Sequence, residues 1–501
     1  MTCKFPINSR RILALCFLFV IACQQNEQTK NNQLNEFLKD SLVLISIERL
    51  VPDFISPWQA GNAKSSQVLA VAVDKEHLLT TADAVHFAHS VRMQKIGENK
   101  TTDLEIAFVD SEINLALLKP LGQKNHGLNA LHVGKDAKYG EELTLVQQRD
   151  KQEFIFSNAK LENLKTQNLN SWYPGTFYKL TENNFSASPS SPLLSGHQVR
   201  GILSETFKSG AWYIPASQIQ SFLSDYKLNK KNYKGFAVLG IAYKEIESET
   251  LMEYLKLNAS QDGVMITEVL EQSPFKNLFM PGDVLTKVGH HSLSKNGEYK
   301  HELWGNLSLA HLMSSYRAGD TLTLEVIRQG QVKNLTATLT KFDSNHFRIN
   351  ETLGQKEPAH LIIGGLVFQE LTVPYFNNHF GKDWKTEAPL RLLNLFYNDR
   401  YPSKLTREKH VVLQKVLNHR YLTGYEGISH QVLSAINGKS VTSITQLREK
   451  YLETKNSKEQ YAIFEFEPLD TKIIIDIKKV SEYNKETLKL YTIENSNQFI
   501  D

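Results

Sequence analysis

"FSASPSSPLLSGHQVRGIL" (Phe185–Leu203) packs four serines and Pro189 into one polar loop, then runs through Pro192-Leu193 and a short turn into an apolar strand, Val199–Leu203. Serines in a polar loop are most often plain loop residues, so their number alone assigns no chemistry. The loop's centre is a proline, which has neither a hydroxyl nor a backbone N–H. Two other stretches share the strand-to-turn character: "HLLTTADAV" (His77–Val85) and "DSEINLALLKP" (Asp110–Pro120). Around them, short period-two apolar segments such as Leu42–Ile47, Val68–Val73, Glu105–Val109 and Leu115–Leu118 alternate with polar turns, which predicts an all-β region over 37–226.

Together the three stretches resemble the catalytic segments of the HtrA/Deg family of PDZ-containing, trypsin-like serine proteases. The loop resembles that family's G-N-S-G-G-P-L and places Pro189 at the nucleophile, with Ala187 at the glycine that supplies the second oxyanion donor. "HLLTTADAV" is similar to "LTNAHVV" and places Asp83 at the base histidine, while "DSEINLALLKP" resembles "DPxxDLALLKV" and places Asn114 at the orienting aspartate. The resemblance implies a mainly β chain, a chymotrypsin-like double β-barrel followed by two PDZ-type α+β domains. All three triad positions are replaced, so the expectation is a pseudoprotease. The alternative is an active endopeptidase with a rearranged site. It needs a new nucleophile from Ser186, Ser188, Ser190 or Ser191 and a base from His77, His86 or His89; His86, one helical turn beyond Asp83, is expected to face solvent. Loss of a nucleophile or base in a serine protease costs on the order of 10⁶ in kcat.

At 501 residues there is room for about three domains of ~150 residues. The formal charge of +3 is carried by Lys4, Arg10 and Arg11, all inside an N-terminal segment with no acidic residue. No basic excess remains elsewhere, so nucleic acid is not expected as a partner. Those residues precede an apolar run, Ile12–Ile21, too short to span a bilayer, that ends in "VIAC" (Val20–Cys23). The pattern resembles a bacterial lipobox, which implies a signal peptide over 1–22 and lipid on Cys23. Of the three cysteines only Cys23 would survive cleavage, so it would have no disulfide partner. A polar tether, 23–35, is expected to follow, and Gln24 beside the lipidated cysteine implies the periplasmic face of the outer membrane.

The protease-like domain is expected over 36–228, ending in a strand and an amphipathic helix within Gly210–Tyr226. The basic "KLNKKNYK" (Lys227–Lys234) reads as a solvated hinge. Residues 235–342 resemble a PDZ domain: "FAVLGIAY" (Phe236–Tyr243) matches its carboxylate-binding loop and strand, and Leu307–Tyr316 its groove helix. The resemblance implies peptide capture by β-augmentation, with backbone N–H groups near Leu239, Gly240 and Ile241 on a terminal carboxylate. Neither the adjacent His290 and His291 nor any other group reads as a metal site, and no cofactor is expected. Residues 358–481, through "IIGGLVFQELTVPYF" (Ile362–Phe376), are similar to the divergent second PDZ domain of plant-type Deg proteases, with Gly364, Gly365 and Leu366 as the loop equivalent; 482–501 reads as a tail. In that branch the second PDZ serves assembly, which implies a homo-oligomer, a trimer or a multiple of one. The expected partners are peptides or unfolded envelope proteins, and an active paralogue. Cys23→Ser should move the protein from the membrane fraction to the soluble fraction or stall its precursor. A wild-type protein that is soluble and cleaved elsewhere would refute the lipobox, because firm retention needs more than one acyl chain.

Overall fold

The computed structural model describes residues 32–59, 61–149, 153–168, 173–181, 187–208, 210–228, 233–258, 260–353, 356–402, 404, 407–467 and 471–493. Cys23 and the signal segment lie outside them, as does Ser186. Two six-stranded barrels come first. Strands Leu42–Val51, Asn62–Ala72, Leu78–Thr80, Leu115–Pro120, Thr101–Asp110 and Ala88–Lys95 pair in that order, and the last closes on the first. Strands Pro192–Ser195, Glu142–Gln148, Phe154–Gln167, Gly175–Thr181, Gly210–Pro215 and Gln198–Phe207 close in the same way. In the first barrel Val43, Ile45 and Ile47 fill the interior, while Leu42, out of phase, joins a second cluster with Leu69, Val71 and Leu79. That second cluster reaches Ile202, Ile214 and Phe222 of the second barrel and its C-terminal helix, Ala216–Leu228. A strand buried on both faces carries a continuous apolar run, which is why Val68–Ala72 shows no alternation.

Two expectations about connecting segments are corrected here. Residues 32–35, assigned to a flexible tether, open a helix at 32–39. Leu38 is buried, and Asn35 exchanges hydrogen bonds with the Phe154 backbone, Nδ2 donating to O at 3.2 Å and Oδ1 accepting from N at 3.1 Å. The end of the supposed hinge is likewise fixed. Asp225 Oδ2 accepts from the backbone N–H groups of Lys234 (3.0 Å) and Gly235 (2.8 Å), and the Tyr233 hydroxyl donates to Asp110 Oδ2 at 2.7 Å. Tyr233 packs on Phe108 and Phe222, an apolar anchor within a segment that reads as basic and polar.

The third unit is a sheet in the order Ile241–Lys244, Val264–Val269, Val284–Val288, Thr321–Arg328, Gln331–Thr338. A hairpin of Glu298–His301 with Gly305–Ser308 leads into the helix Leu309–Met313, shorter than the expected groove helix. This unit is docked on the second barrel: Trp304 stacks on Tyr178 with ring centroids 6.2 Å apart, and one apolar cluster contains both Tyr178 and Leu309.

The fourth unit orders its strands His360–Ile363, Leu366–Glu370, Val411–Val416, Gln431–Ile436, Tyr461–Glu467, Thr471–Asp476. On Leu366–Glu370, Leu366 and Phe368 face a core shared with Leu447 and Tyr451 of the helix Ile444–Lys455, while Val367 belongs to the cluster on the opposite face. That second face is covered by an inserted run of helices, Val373–Phe380, Trp384–Glu387 and Leu390–Asn398, and by a loop of the first barrel. Phe54 is buried among Tyr375, Phe376 and Trp384, and Trp58 lies beside Ile362 and Val367. Gln369 Nε2 donates to the Phe54 carbonyl (2.7 Å), and Gln414 Nε2 and Lys415 Nζ both donate to that of Ile55 (2.7 Å each). The expected tail is also revised: Val480–Leu490 is a helix with Val480, Tyr483, Asn484 and Thr487 buried against this unit.

Phe54→Ala is expected to cost about 3–5 kcal/mol, the usual range for emptying a buried aromatic site. Hydrogen exchange should accelerate in Leu366–Glu370 and Val411–Val416 while the strands of the first barrel stay protected. Uniform deprotection of barrel and sheet would show that the loop is not a local clamp.

Candidate functional site

Asp83 and Asn114, two of the positions that the resemblance assigns to the triad, are joined by a hydrogen bond, and the loop at Pro189 reaches Thr81, two residues before Asp83. Asp83 lies in the one-turn helix Ala82–Val85, and its backbone N–H donates to Asn114 Oδ1 at 2.9 Å. Asn114 sits in the left-handed region at φ +57, which asparagine tolerates, and its Nδ2 donates to Ser204 Oγ at 3.0 Å. Arg49, which the sequence did not single out, reaches the same place from near the end of the strand Leu42–Val51: Nη1 donates to the Asp83 carbonyl (3.2 Å) and Nη2 to Ser66 Oγ (2.7 Å). Its only sequence signal is a lone cation in an apolar strand. Burial pushes the Asp83 carboxyl up to about 6, opposed by the Asn114 side chain and Arg49 and reinforced by Glu205.

The loop at Pro189 is bonded to both barrels. The Pro189 carbonyl accepts from Leu69 N at 3.0 Å, and Ser190 Oγ shares a 2.8 Å hydrogen bond with Thr81 Oγ1. Thr81 is the N-cap of the one-turn helix, yet its side chain makes no capping bond. On the other side, Ser188 N donates to Val146 O (3.3 Å) and Ser188 Oγ accepts from Gln148 N (2.8 Å). Ser191 is fully buried against Tyr213. Ser190 adopts φ +58, where the resemblance puts a glycine. Ala187 is half-buried, packed against the core that contains Leu145 and Leu193.

The candidate bases lie elsewhere. His77 Nδ1 faces the Asp74 carboxylate at 3.0 Å and Nε2 faces the Tyr226 hydroxyl at 3.3 Å. His86, expected to face solvent, is half-buried with Nε2 3.0 Å from Ser111 Oγ, and burial followed by Arg49 lowers its pKa. His89 is exposed on Ala88–Lys95. Among the described residues no hydrogen bond joins an imidazole to Ser188, Ser190 or Ser191.

In the third unit, the Leu239 carbonyl accepts from Ser273 Oγ (2.6 Å) and the Gly240 carbonyl from Leu270 N (2.8 Å). Because C=O and N–H of a trans peptide point oppositely, the amides of Gly240 and Ile241 face away from those partners. Gly240 is at φ +66, and a Cβ there would come within 2.4 Å of Phe342, so only glycine fits. Ile241–Lys244 is the terminal strand of its sheet, pairing with Val264–Val269 alone, and Ala242, Tyr243 and Lys244 are exposed. Loop amides and an open edge therefore stand side by side.

In the fourth unit the expected peptide-binding residues have no such edge. Gly364 (φ +56) and Gly365 (φ +90) form a two-residue hairpin that folds His360–Ile363 onto Leu366–Glu370. Leu366–Glu370 is thus paired on both sides, and the Gly364 N–H donates to Asn484 Oδ1 at 2.8 Å. The assignment of Gly364, Gly365 and Leu366 to peptide capture is corrected: the chain's own strand fills that position. Among the described residues no group of three His, Cys, Asp or Glu side chains is placed to hold a metal ion. The rings of His290 and His291 pack against each other at a tilt of 38°, with centroids 3.9 Å apart.

Two closed barrels ahead of two such sheet-and-helix units define a trypsin-like chain with paired PDZ domains. Residues 237–339 and 349–498 each match the PDZ domain family. The chain is 21% identical over 417 residues to the putative protease Do-like 3, mitochondrial, of Arabidopsis thaliana, covering 81% of this chain and 71% of the relative. It is 19% identical to the protease Do-like 4, mitochondrial, of the same plant, covering 68% and 67%. Among solved structures, the HtrA-type protease AlgW with decapeptide is similar at a TM-score of 0.45 and 17% identity, over 62% of this chain and 97% of that one. The chain belongs to the HtrA/Deg family.

A carboxyl whose folded pKa exceeds its unfolded value weakens the fold once pH rises above the unfolded value, and the penalty is complete above the folded value. For Asp83 that window runs from about 3.8 to about 6. Asp83→Asn, which keeps shape without charge, should therefore stabilise the protein by roughly 1–3 kcal/mol at pH 8, with the gain vanishing near pH 4. Thermal midpoints of both proteins across that range check this; a pH-independent difference would show that Asp83 is not held in a desolvated site.

Proposed function

We propose that this chain is a catalytically silent HtrA/Deg-family protein that binds or scaffolds peptides and proteins in the bacterial cell envelope. The observation that carries the reading is Pro189, which stands at the nucleophile position and holds Leu69 through its carbonyl, while the hydroxyls of Ser188 and Ser190 are bonded to Gln148 and Thr81. A serine nucleophile needs its hydroxyl on a base and its own N–H in the oxyanion hole. Pro189 supplies neither group, and Asp83 and Asn114 stand where the imidazole and its orienting carboxylate are needed. Binding then falls to the Leu239–Ile241 loop and the open edge Ile241–Lys244 of the first PDZ domain, which suit an extended peptide ending in a carboxylate. In this reading Cys23 is lipidated, the protein sits on the periplasmic face of the outer membrane, copies assemble as a trimer or a multiple of one, and an active paralogue is a candidate partner.

The purified protein should leave unfolded casein intact and fail to react with a fluorophosphonate probe; labelling at a serine of 185–203 would overturn the proposal in favour of a rearranged endopeptidase. Pro189→Ser alone should stay silent. Turnover is expected to require Asp83→His, Asn114→Asp and Pro189→Ser together.

A further inference from the structure

A cleft of about 310 Å³ separates the second barrel from the first PDZ domain, behind the groove helix. Asp136, Thr176 and Gln218 line it from the barrel side, and His301, Trp304 and His311 from the PDZ side. We propose that this cleft binds a small organic cation, an ammonium or guanidinium group on an apolar stem.

Gln218 gives the first reason. Its side chain is 3% exposed, yet neither Nε2 nor Oε1 has a hydrogen-bond partner among the described residues. A buried carboxamide offers two donors and an acceptor, and such groups are ordinarily satisfied. Here they face a space a ligand can enter. Asp136 gives the sign of the charge. Among the described residues that line the cleft it is the one acid, and none is Lys or Arg. Asp136 Oδ1 accepts from the Tyr178 hydroxyl and from Ser217 N, both at 2.9 Å, which fixes the carboxylate and leaves Oδ2 outside those bonds.

The remaining walls agree. His311 is pushed down to about 4, by burial first and by His301 second, so it is neutral near pH 7 and does not compete as a cation. Trp304, stacked on Tyr178, offers the aromatic face that attracts ammonium and guanidinium groups. The volume is at the low end of ligand sites, about 300–1,000 Å³, and excludes anything much larger than one long side chain. The cation can come from a free amine or from a lysine or arginine side chain.

Calorimetric titration of the full chain separates these sources. Agmatine and the capped peptide acetyl-Gly-Lys-Gly-amide serve as probes, with acetyl-Gly-norleucine-Gly-amide as the uncharged control. Saturable binding of agmatine alone would assign a free amine; binding of the lysine peptide would assign a side chain. Either should be weakened at least tenfold by Gln218→Leu and by Asp136→Asn, and abolished by Leu303→Trp, which fills the cleft from an exposed hairpin residue and keeps the test open if a core variant fails to fold. The proposal is overturned if neither cation binds, if the norleucine peptide binds equally well, or if Leu303→Trp binds like wild type.

Discussion

A carbonyl is what Pro189 contributes, and the hydrogen bond it accepts from Leu69 N, with the Thr81–Ser190 contact beside it, ties the loop between the barrels to the first of them. Ser188 ties the same loop to the second through Val146 and Gln148. A hydroxyl poised to attack must be free to move toward a carbonyl carbon; a hydroxyl that braces two domains must not. Each bond of this kind is modest, about 1 kcal/mol net. Ser190 and Thr81 are both buried, so water does not compete for the bond between them, and the loop is a strut whose polar atoms have fixed roles.

The all-β character of 37–226 was legible in its period-two strands, whereas the double barrel and the meeting of Asp83 with Asn114 came from the resemblance of whole segments to HtrA/Deg motifs. What sequence missed is long-range. Nothing near Asn35 announces that its amide pairs with Phe154, and nothing in the lysine-rich 227–234 announces that Tyr233 reaches back to Asp110. The helix Val480–Leu490 read as a tail because two of its buried residues, Asn484 and Thr487, are polar. Asn484 is buried because the turn at Gly364 leaves a backbone N–H that needs an acceptor, a demand visible only once the hairpin exists.

The same holds for Gln369 and Gln414. Two glutamines at 0% and 2% exposure look like errors in strands that should be apolar. They bond to each other (2.8 Å) and to the carbonyls of Phe54 and Ile55, more than 300 positions away in the chain. An apolar pair would bury as much surface but would accept the loop in many registers. The amides accept one register and so set how the second PDZ domain sits on the first barrel.

The Gly364–Gly365 hairpin sets the valency of the molecule. By folding His360–Ile363 onto Leu366–Glu370 it uses up the second PDZ edge from within, so each chain presents one loop-and-edge receptor where two PDZ domains would offer two. A single chain cannot hold two tails of a partner at once or gain the enhancement that linked sites give. Avidity for a multivalent target would then require more than one chain, each contributing its own first PDZ domain.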